Sequence, residues 1–450
     1  MSSPAFTILR MSDSLEGLRE QLVARLPSEP VRRILIKPNW VRHAESENFP
    51  IEALVTNPAL IDVVLQACLE KYPEAERITV ADVPLQTCDW PRLCRQAGVA
   101  ELMSRYGGVR KPVIEFLDLR RERFVVKDGF FERDEGETVD PAEYCEVVLD
   151  DTSFLEAVSG PGVRFCVSDY DARVTASHQH RGRHRYRILR RALEADLVVN
   201  LPKIKTHQKA GITCALKNLV GINGEKAYLV HHRRGFPRTG GDEFAPGTSP
   251  LIFLQTRIRE LLQKRSSWGF RLARLAWRGL KALAGIRTEG TREALGKTFY
   301  VASGSWYGND TIWRMVYDLN KIVRYAPAGG GRLARSAQRQ CVVVLDGLTA
   351  GEGNGPLQPL PVSLGVVGIG DDPFAADMAV ARLIGFDYRK IPLLAHHREF
   401  GDVHWGAFDP ASVELRFDGR IVRGVDSLPV LKAFESPPGW RGHIEGRGTP

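Results

Sequence analysis

Cysteine is scarce in this chain: seven among 450 residues, at 68, 88, 94, 145, 166, 214 and 341. The number is odd, and none of them forms C-x-x-C. A disulfide framework, a zinc site and an iron–sulfur cluster therefore have no support. Mostly buried thiols in a reducing, cytoplasmic setting are expected. Long apolar runs are missing as well: no stretch reaches the roughly 20 residues that a bilayer-spanning helix needs. The opening MSSPAFTILRMSDSLEGLRE lacks an apolar core followed by a cleavage site, so no secretory leader is expected. Signatures of familiar chemistry are absent too. There is no G-x-x-x-x-G-K-[ST], no G-x-G-x-x-G behind the first strand, no G-x-S-x-G and no H-E-x-x-H. An ordinary nucleotide loop, a nucleophile elbow and a zinc-protease helix are not supported. No internal repeat stands out.

What is there is an ordinary globular composition, 43% hydrophobic and 26% charged. The length suits two or three domains or one elaborated α/β unit. Net charge is +8, and the isoelectric point is near 9.1. Such a balance suggests anionic partners: phosphates, acidic sugars, nucleic acid or a membrane face. The plainer alternative is an arginine-rich composition without a specific partner.

The order of elements points to an α/β fold. RRILIKPNW (32–40) reads as a strand ending at Lys37 and Asn39. TNPALIDVVLQACLEKY comes next with Asn57-Pro58 as a helix start, and ERITVADVP is a second strand ending at Asp82. This β-α-β pattern predicts a parallel sheet whose ligand crevice lies at the carboxyl ends of its strands. LEADLVVNLPK is another strand. TIWRMVYDLNKIV reads as a helix, QCVVVLDGLTAGEGNGP as a strand entering a Gly-rich loop, and DDPFAADMAVARLIGF as a helix capped by Asp372. The expectation is α/β, with mostly parallel sheets, flanking helices and two lobes around a central crevice. The divisions are an N-terminal α/β lobe (1–250), a basic helical insertion (251–298), a C-terminal α/β segment (299–435) and a flexible tail (436–450).

Some segments are read as loops. SHQHRGRHRYRILRR (177–191) reads as a solvated basic loop before a helix, with an anion-binding arm as the alternative. Residues 222–250 form a long Gly- and Pro-rich loop that keeps Tyr228, His231 and His232, as functional lids often do. YAPAGGGRLARS (325–336) reads as a flexible linker. Residues 264–285 make a basic amphipathic helix. It suits either packing on a core or peripheral docking on an anionic membrane surface.

The stretch from Lys203 to Lys217 holds four lysines (203, 205, 209 and 217) and His207, with no acid. Pro202 is expected to end the strand and push the next residues off the sheet. Lys203, Lys205 and His207 then alternate towards the crevice, and Lys217 and Asn218 fall within a helix. Clustered cations suit a substrate carboxylate or phosphate, and crowding of like charges depresses a lysine pKa. A solvated basic loop is the competing reading, but Lys217 sits among Ala215, Leu216, Leu219 and Val220. Asp346 and Glu352 in LDGLTAGEGNGP are candidates for a divalent metal or an acid–base pair, beside Asn354 in the Gly-rich loop. Asp377, in the first turns of the helix expected after Asp372, could face the crevice, but capping together with the helix dipole is the simplest account of both Asp372 and Asp377. Asn309 or Asp310 is expected to cap the helix after GSWYG. His178, His180 and His184 have metal-like spacing, but neighbouring arginines oppose a cation.

These stretches resemble a family labelled only as domain of unknown function 362. ILIKPNWV, TNPALIDVV, ADVPLQ, ADLVVNLPKIKTHQKAGITCALKNLVG, LDGLTAGEGNGP and DDPFAADMAVARLIGF carry the resemblance, in the family's order and over most of the chain. It implies an α/β fold and little about activity. Some relatives carry ferredoxin-type cysteine clusters; this chain has none, so electron transfer is not carried over. The spacing of His207, Gly211 and Lys217 is also similar to a stretch of the lactate racemase family. There a histidine and a lysine hold a nickel-pincer nucleotide, the lysine covalently. That resemblance implies a site at His207 and Lys217, with His231 or His232 near a further metal-ligating histidine. Where that family has Ser-Gly-Gly, this chain has Thr213-Cys214-Ala215.

Together these readings predict an enzyme of unspecified reaction, with His207, Lys217 and Asp82 as catalytic residues. Lys37, Asn39, Lys203, Lys205, Asn218 and Asn354 are expected to bind a small anionic substrate or phosphorylated cofactor, and Asp346 and Glu352 to hold a metal. The alternative is a non-catalytic accessory protein docking on a membrane through residues 264–285. Nucleic acid ranks last because no reading motif accompanies the basic residues.

Overall fold

RILIKP, LVVNL and the CVVVL run are apolar at nearly every position, as strands covered on both faces require. In the computed structural model they lie side by side at the centre of one sheet. The structure describes residues 5–11, 15–127, 130–134, 139–167, 170, 172–248, 252–253, 256–257 and 303–446. In chain order the sheet strands are β1 (Phe6–Arg10), β2 (Arg33–Pro38), β3 (Arg77–Asp82), β4 (Val113–Asp118) and β5 (Leu197–Leu201). They continue as β6 (Lys203–His207), β7 (Gly211–Thr213), β8 (Gln340–Asn354), β9 (Gln358–Gly370), β10 (Glu414–Phe417) and β11 (Arg420–Arg423). The spatial order is β11-β10-β1-β9-β8-β5-β2-β3-β4, with β6 beside β8 and β7 beside β6. The run β8-β5-β2-β3-β4 is parallel throughout.

Strand alternation feeds two cores. Leu35, Val198, Val343 and Leu345 face one, shared with the helices Ile312–Tyr325 and Pro373–Leu383. Ile34, Ile36, Val199, Val342 and Val344 face the other, shared with the helix Pro58–Lys71. The fold is therefore α/β, a large mostly parallel sheet with helices on both faces. β8, from the C-terminal part, pairs directly with β5, so the expected lobes share one sheet.

Several loop readings are corrected. GLTAGEGN is not a loop: it continues β8 to Asn354 and pairs with β9 as far as Gln358. Gly351, and Gly355 just past its end, are packing residues. A Cβ on Gly351 would lie 2.6 Å from that of Pro359, and one on Gly355 would lie 2.0 Å from the Thr206 carbonyl oxygen. Arg183–Leu189 is a strand, because His184, Tyr186 and Ile188 are buried while the intervening arginines face outward. The supposed linker holds a short strand, Gly331–Arg332, paired with Tyr144–Val148. The tail is anchored through residue 446: Trp440 and Ile444 are buried, and the Trp440 indole donates to the Gln208 carbonyl at 2.6 Å. Asn309, not Asp310, accepts from the Thr311 and Ile312 amides at the start of its helix. All seven cysteines are buried, and none forms a disulfide. Among the described residues no helix is long and apolar enough to cross a membrane. The basic helix expected at 264–285 lies outside the described residues.

Candidate functional site

The chain does not leave the sheet at Pro202. β6 resumes parallel pairing with β8 across a register shift, with Lys203 opposite Asp346 and Lys205 opposite Gly351. The two-residue period then puts Lys203, Lys205 and His207 on one face. These side chains are buried rather than lining an open crevice.

Asp346 and Asp82 are buried with them. Each pairs with one lysine. Lys203 Nζ donates to Asp346 at 2.7 Å, and the same carboxylate accepts from the Asn57 and Leu348 amides. Lys37 Nζ lies 2.8 Å from Asp82, which also accepts from the Trp40 and Val83 amides at 2.7 Å. Both pairs are almost wholly excluded from solvent. Lys205 has no such pair among the described residues; its ammonium donates to the Leu54 carbonyl at 2.6 Å. Burial, then Lys203, holds its pKa well below the usual lysine value. Lys226 donates to the Val83 carbonyl at 2.8 Å. Burial lowers it to about 8, with Asp82 opposing.

Three asparagines fasten the short helix Ala215–Asn218 to the strand ends. Asn218 accepts from Asn39 at 2.9 Å and donates to the Lys37 carbonyl at 3.0 Å and to Asn200 at 2.7 Å. Asn200 in turn donates to the Ala215 carbonyl at 2.8 Å. From the other side Asp377 accepts from the Ala215 and Leu216 amides at 2.7 and 3.1 Å. Burial lifts this carboxyl to about 7. Asp377 thus caps a neighbouring helix, which its own sequence context did not announce.

That helix carries Lys217, whose ammonium makes no hydrogen bond or ion pair with any described residue. Its side chain is only partly exposed, yet protein atoms surround the ammonium densely. Burial, followed by Lys226, Lys209 and Lys37, lowers it to about 7. His207 Nδ1 accepts from the Lys209 and Ala210 amides at 3.0 and 3.2 Å, so in the neutral ring Nε2 carries the proton. Burial, then Lys217, holds His207 well below its usual value. His231 feels Lys209, Lys217 and His207 in addition to its burial, and its Nδ1 is buried without a partner. His232 Nδ1 is likewise buried and unpartnered.

The structure brings Lys37, Asn39, Asp82 and Asn218 into one bonded group, and Lys203 and Asp346 into another. Lys217 and His207 interact electrostatically beside them. Asn354 is held apart, in side-chain contacts with Gln208 and Gln358. Glu352 accepts from the Glu435 amide at 2.8 Å. It lies six residues along β8 from Asp346, about 20 Å in an extended strand. These two acids do not converge on one ion. Among the described residues no three histidines, cysteines or carboxylates come together as a metal site.

Gly221 was not singled out from sequence, and only the packing shows its part. A Cβ there would lie 2.2 Å from the Asp82 carboxylate and 2.7 Å from Lys37 Nζ. Gly221→Ala is expected to destabilise the fold by about 1–3 kcal/mol, because the buried pair must open to admit a methyl group. Urea unfolding checks this, and an unchanged midpoint would show that the pair is not packed on Gly221.

No curated protein matches the chain. Among solved structures it is similar to a protein from Thermotoga maritima, at 9% identity and a TM-score of 0.35, covering 78% of this chain and 54% of that one. It is also similar to the lactate racemase apoprotein from Thermoanaerobacterium thermosaccharolyticum, at 15% identity and a TM-score of 0.25, covering 50% of this chain and 40% of that one. The chain thus spans about half the length of the first and less of the second, and likenesses this distant carry no argument about its chemistry. A family model matches residues 34–149 and 135–382. That is most of the chain, and it belongs to the family described as domain of unknown function (DUF362).

Proposed function

We propose that this protein is an enzyme that binds a small anion beside Lys217 and His207 and transfers a proton there. The anion would be a carboxylate, a phosphate or a phosphorylated cofactor. One observation carries the reading: Lys217 alone among the buried-cluster lysines 37, 203, 205, 217 and 226 has no partner among the described residues. A desolvated ammonium without a counter-charge is costly, and an arriving anion removes that cost. A group near pKa 7 also exchanges protons readily at neutral pH. His207, with its proton on Nε2, is suited to donate a hydrogen bond to developing negative charge.

Lys37 and Lys203, expected to bind substrate directly, support the reading from behind, since each is paired to an acid. Asp82 and Asp346 then serve to hold them. The nickel-pincer nucleotide of the lactate racemase resemblance calls for a histidine and a lysine rather than three converging side chains, and no step is routed through it. Seven buried thiols favour a reducing, cytoplasmic setting.

Titration calorimetry with inorganic phosphate and with acetate tests the reading. Wild-type protein is expected to bind at least one of them, and Lys217→Met at least tenfold more weakly. Equal affinity in the two proteins would remove Lys217 from the site.

A further inference from the structure

We propose that Lys217 captures a carbonyl carbon as an imine, and that the ligand is a small aldehyde or 2-oxo acid bearing a carboxylate or phosphate. The charge of this ligand rests on the anion-binding reading above; the covalent step does not.

The geometry separates Lys217 from its neighbours as a nucleophile. Lys37 and Lys203 are held in ion pairs, and the ammonium groups of Lys205 and Lys226 donate to backbone carbonyls at 2.6 and 2.8 Å. Lys209 donates to the Ser303 carbonyl. A nitrogen that is already hydrogen-bonded as an ammonium cannot attack. The Lys217 ammonium is bonded to no described residue, and the side chain is partly exposed. Its backbone is fixed on both sides, by Asp377 at Ala215 and Leu216 and by Asn218 at the strand ends. The amine is therefore presented from a rigid support. Desolvation and nearby cations supply the uncharged form that attack requires.

The step balances without an oxidant or reductant. The neutral Lys217 amine attacks the carbonyl carbon, a C–N bond forms, and the carbonyl oxygen takes up a proton to give a carbinolamine. The nitrogen gives up both of its protons, one as the carbinolamine forms and one as the C=N bond forms; the hydroxyl takes up the second, the C–O bond breaks and water leaves. The sum is amine plus carbonyl to imine plus water. His207 is suited to hydrogen-bond the carbonyl oxygen through Nε2–H, and its Nδ1 is fixed as acceptor by two backbone amides. The surrounding lysines suit a negatively charged substituent on the same molecule.

The test uses the full-length protein with pyruvate, pyridoxal 5′-phosphate and neutral propanal, each followed by borohydride reduction, intact mass and peptide mapping. At pH 7 wild-type protein is expected to gain one adduct, on the peptide containing Lys217, at least tenfold faster than on exposed lysines such as Lys432. Lys217→Arg, which keeps the charge, is expected to lose that adduct, while Lys432→Arg keeps it. Adducts spread over exposed lysines, or none on Lys217, overturn the capture. Phosphate binding without a Lys217 adduct sinks the imine and leaves the anion reading standing. A Lys217 adduct formed as fast with propanal as with pyruvate keeps the capture and removes the anionic ligand. Absence of both phosphate binding and adduct removes both.

Discussion

Asp346→Ala is expected to destabilise the protein by about 3–5 kcal/mol, read as a lower midpoint in urea or guanidinium unfolding with an unchanged slope. Asp346 is fully buried, and so is its partner Lys203 at 2.7 Å. Removing the carboxylate leaves an ammonium without a counter-charge and the Asn57 and Leu348 amides without an acceptor. The companion double variant Lys203→Met/Asp346→Leu is expected to recover most of the loss, since a buried ion pair exchanged for apolar side chains of similar volume is often neutral. The contrast between the two variants is the diagnostic. A single variant that costs under about 1 kcal/mol would mean that the pair is wet or mobile. The double variant also tests function: if Asp346 held a metal or acted on substrate, restoring stability would not restore ligand binding. The structure leads us to expect that phosphate binding survives in it, because Lys217 and His207 are untouched.

The fold was largely legible in the sequence because a parallel sheet writes itself in local runs. RILIKP, RITVAD and LVVNL are short, apolar and end at or beside a Pro or Asp, and each became the strand expected. The pairing of β2 with β3 is parallel, as the β-α-β pattern predicts. The Gly-rich segment after Asp346 misled because glycine serves two ends. It frees a loop, and it also lets two backbones approach. Gly351 and Gly355 do the second, and only the position of Pro359 and Thr206 in space reveals it. The arginine-rich stretch 183–189 misled through composition: its period-two burial was present, but charge on alternate residues hid it. At the site, the lysines after Leu201 were visible as a cluster. Their division into paired and unpaired members was not, since Asp346 stands 143 residues along the chain from Lys203, and Asp82 reaches Lys37 from a different strand. Asp377, reaching across to Ala215 and Leu216, and Gly221, pressed on Lys37, likewise depend on contacts that no local pattern encodes.

Lys217→Met is expected to raise stability at pH 6 and to abolish the response to anions, a combination that a merely structural lysine would not give. The ordinary lysine value of 10.5 applies to the unfolded chain, and the folded value is about 7. Between the two, the unfolded chain holds a proton that the folded chain has released, so wild-type stability climbs as pH rises through that window. Below about pH 7 both states are protonated, and the fold bears the whole cost of a desolvated ammonium. Above about pH 10.5 both are neutral, and the cost has gone. Methionine has a similar volume, no charge and apolar neighbours at Leu216 and Val220, so it escapes the cost at every pH. The stability difference between variant and wild type should therefore be largest at pH 6, on the order of 1–3 kcal/mol, and should shrink steadily by pH 10. Urea midpoints at pH 6, 8 and 10 measure it. A difference that stays flat with pH, or that favours wild type at pH 6, would show that Lys217 is solvated like any surface lysine. Phosphate adds a second axis. Binding to the native state alone raises apparent stability with ligand concentration. That rise is expected for wild type at pH 6, where Lys217 is charged, and should be absent from Lys217→Met. An equal rise in both proteins would place the anion elsewhere.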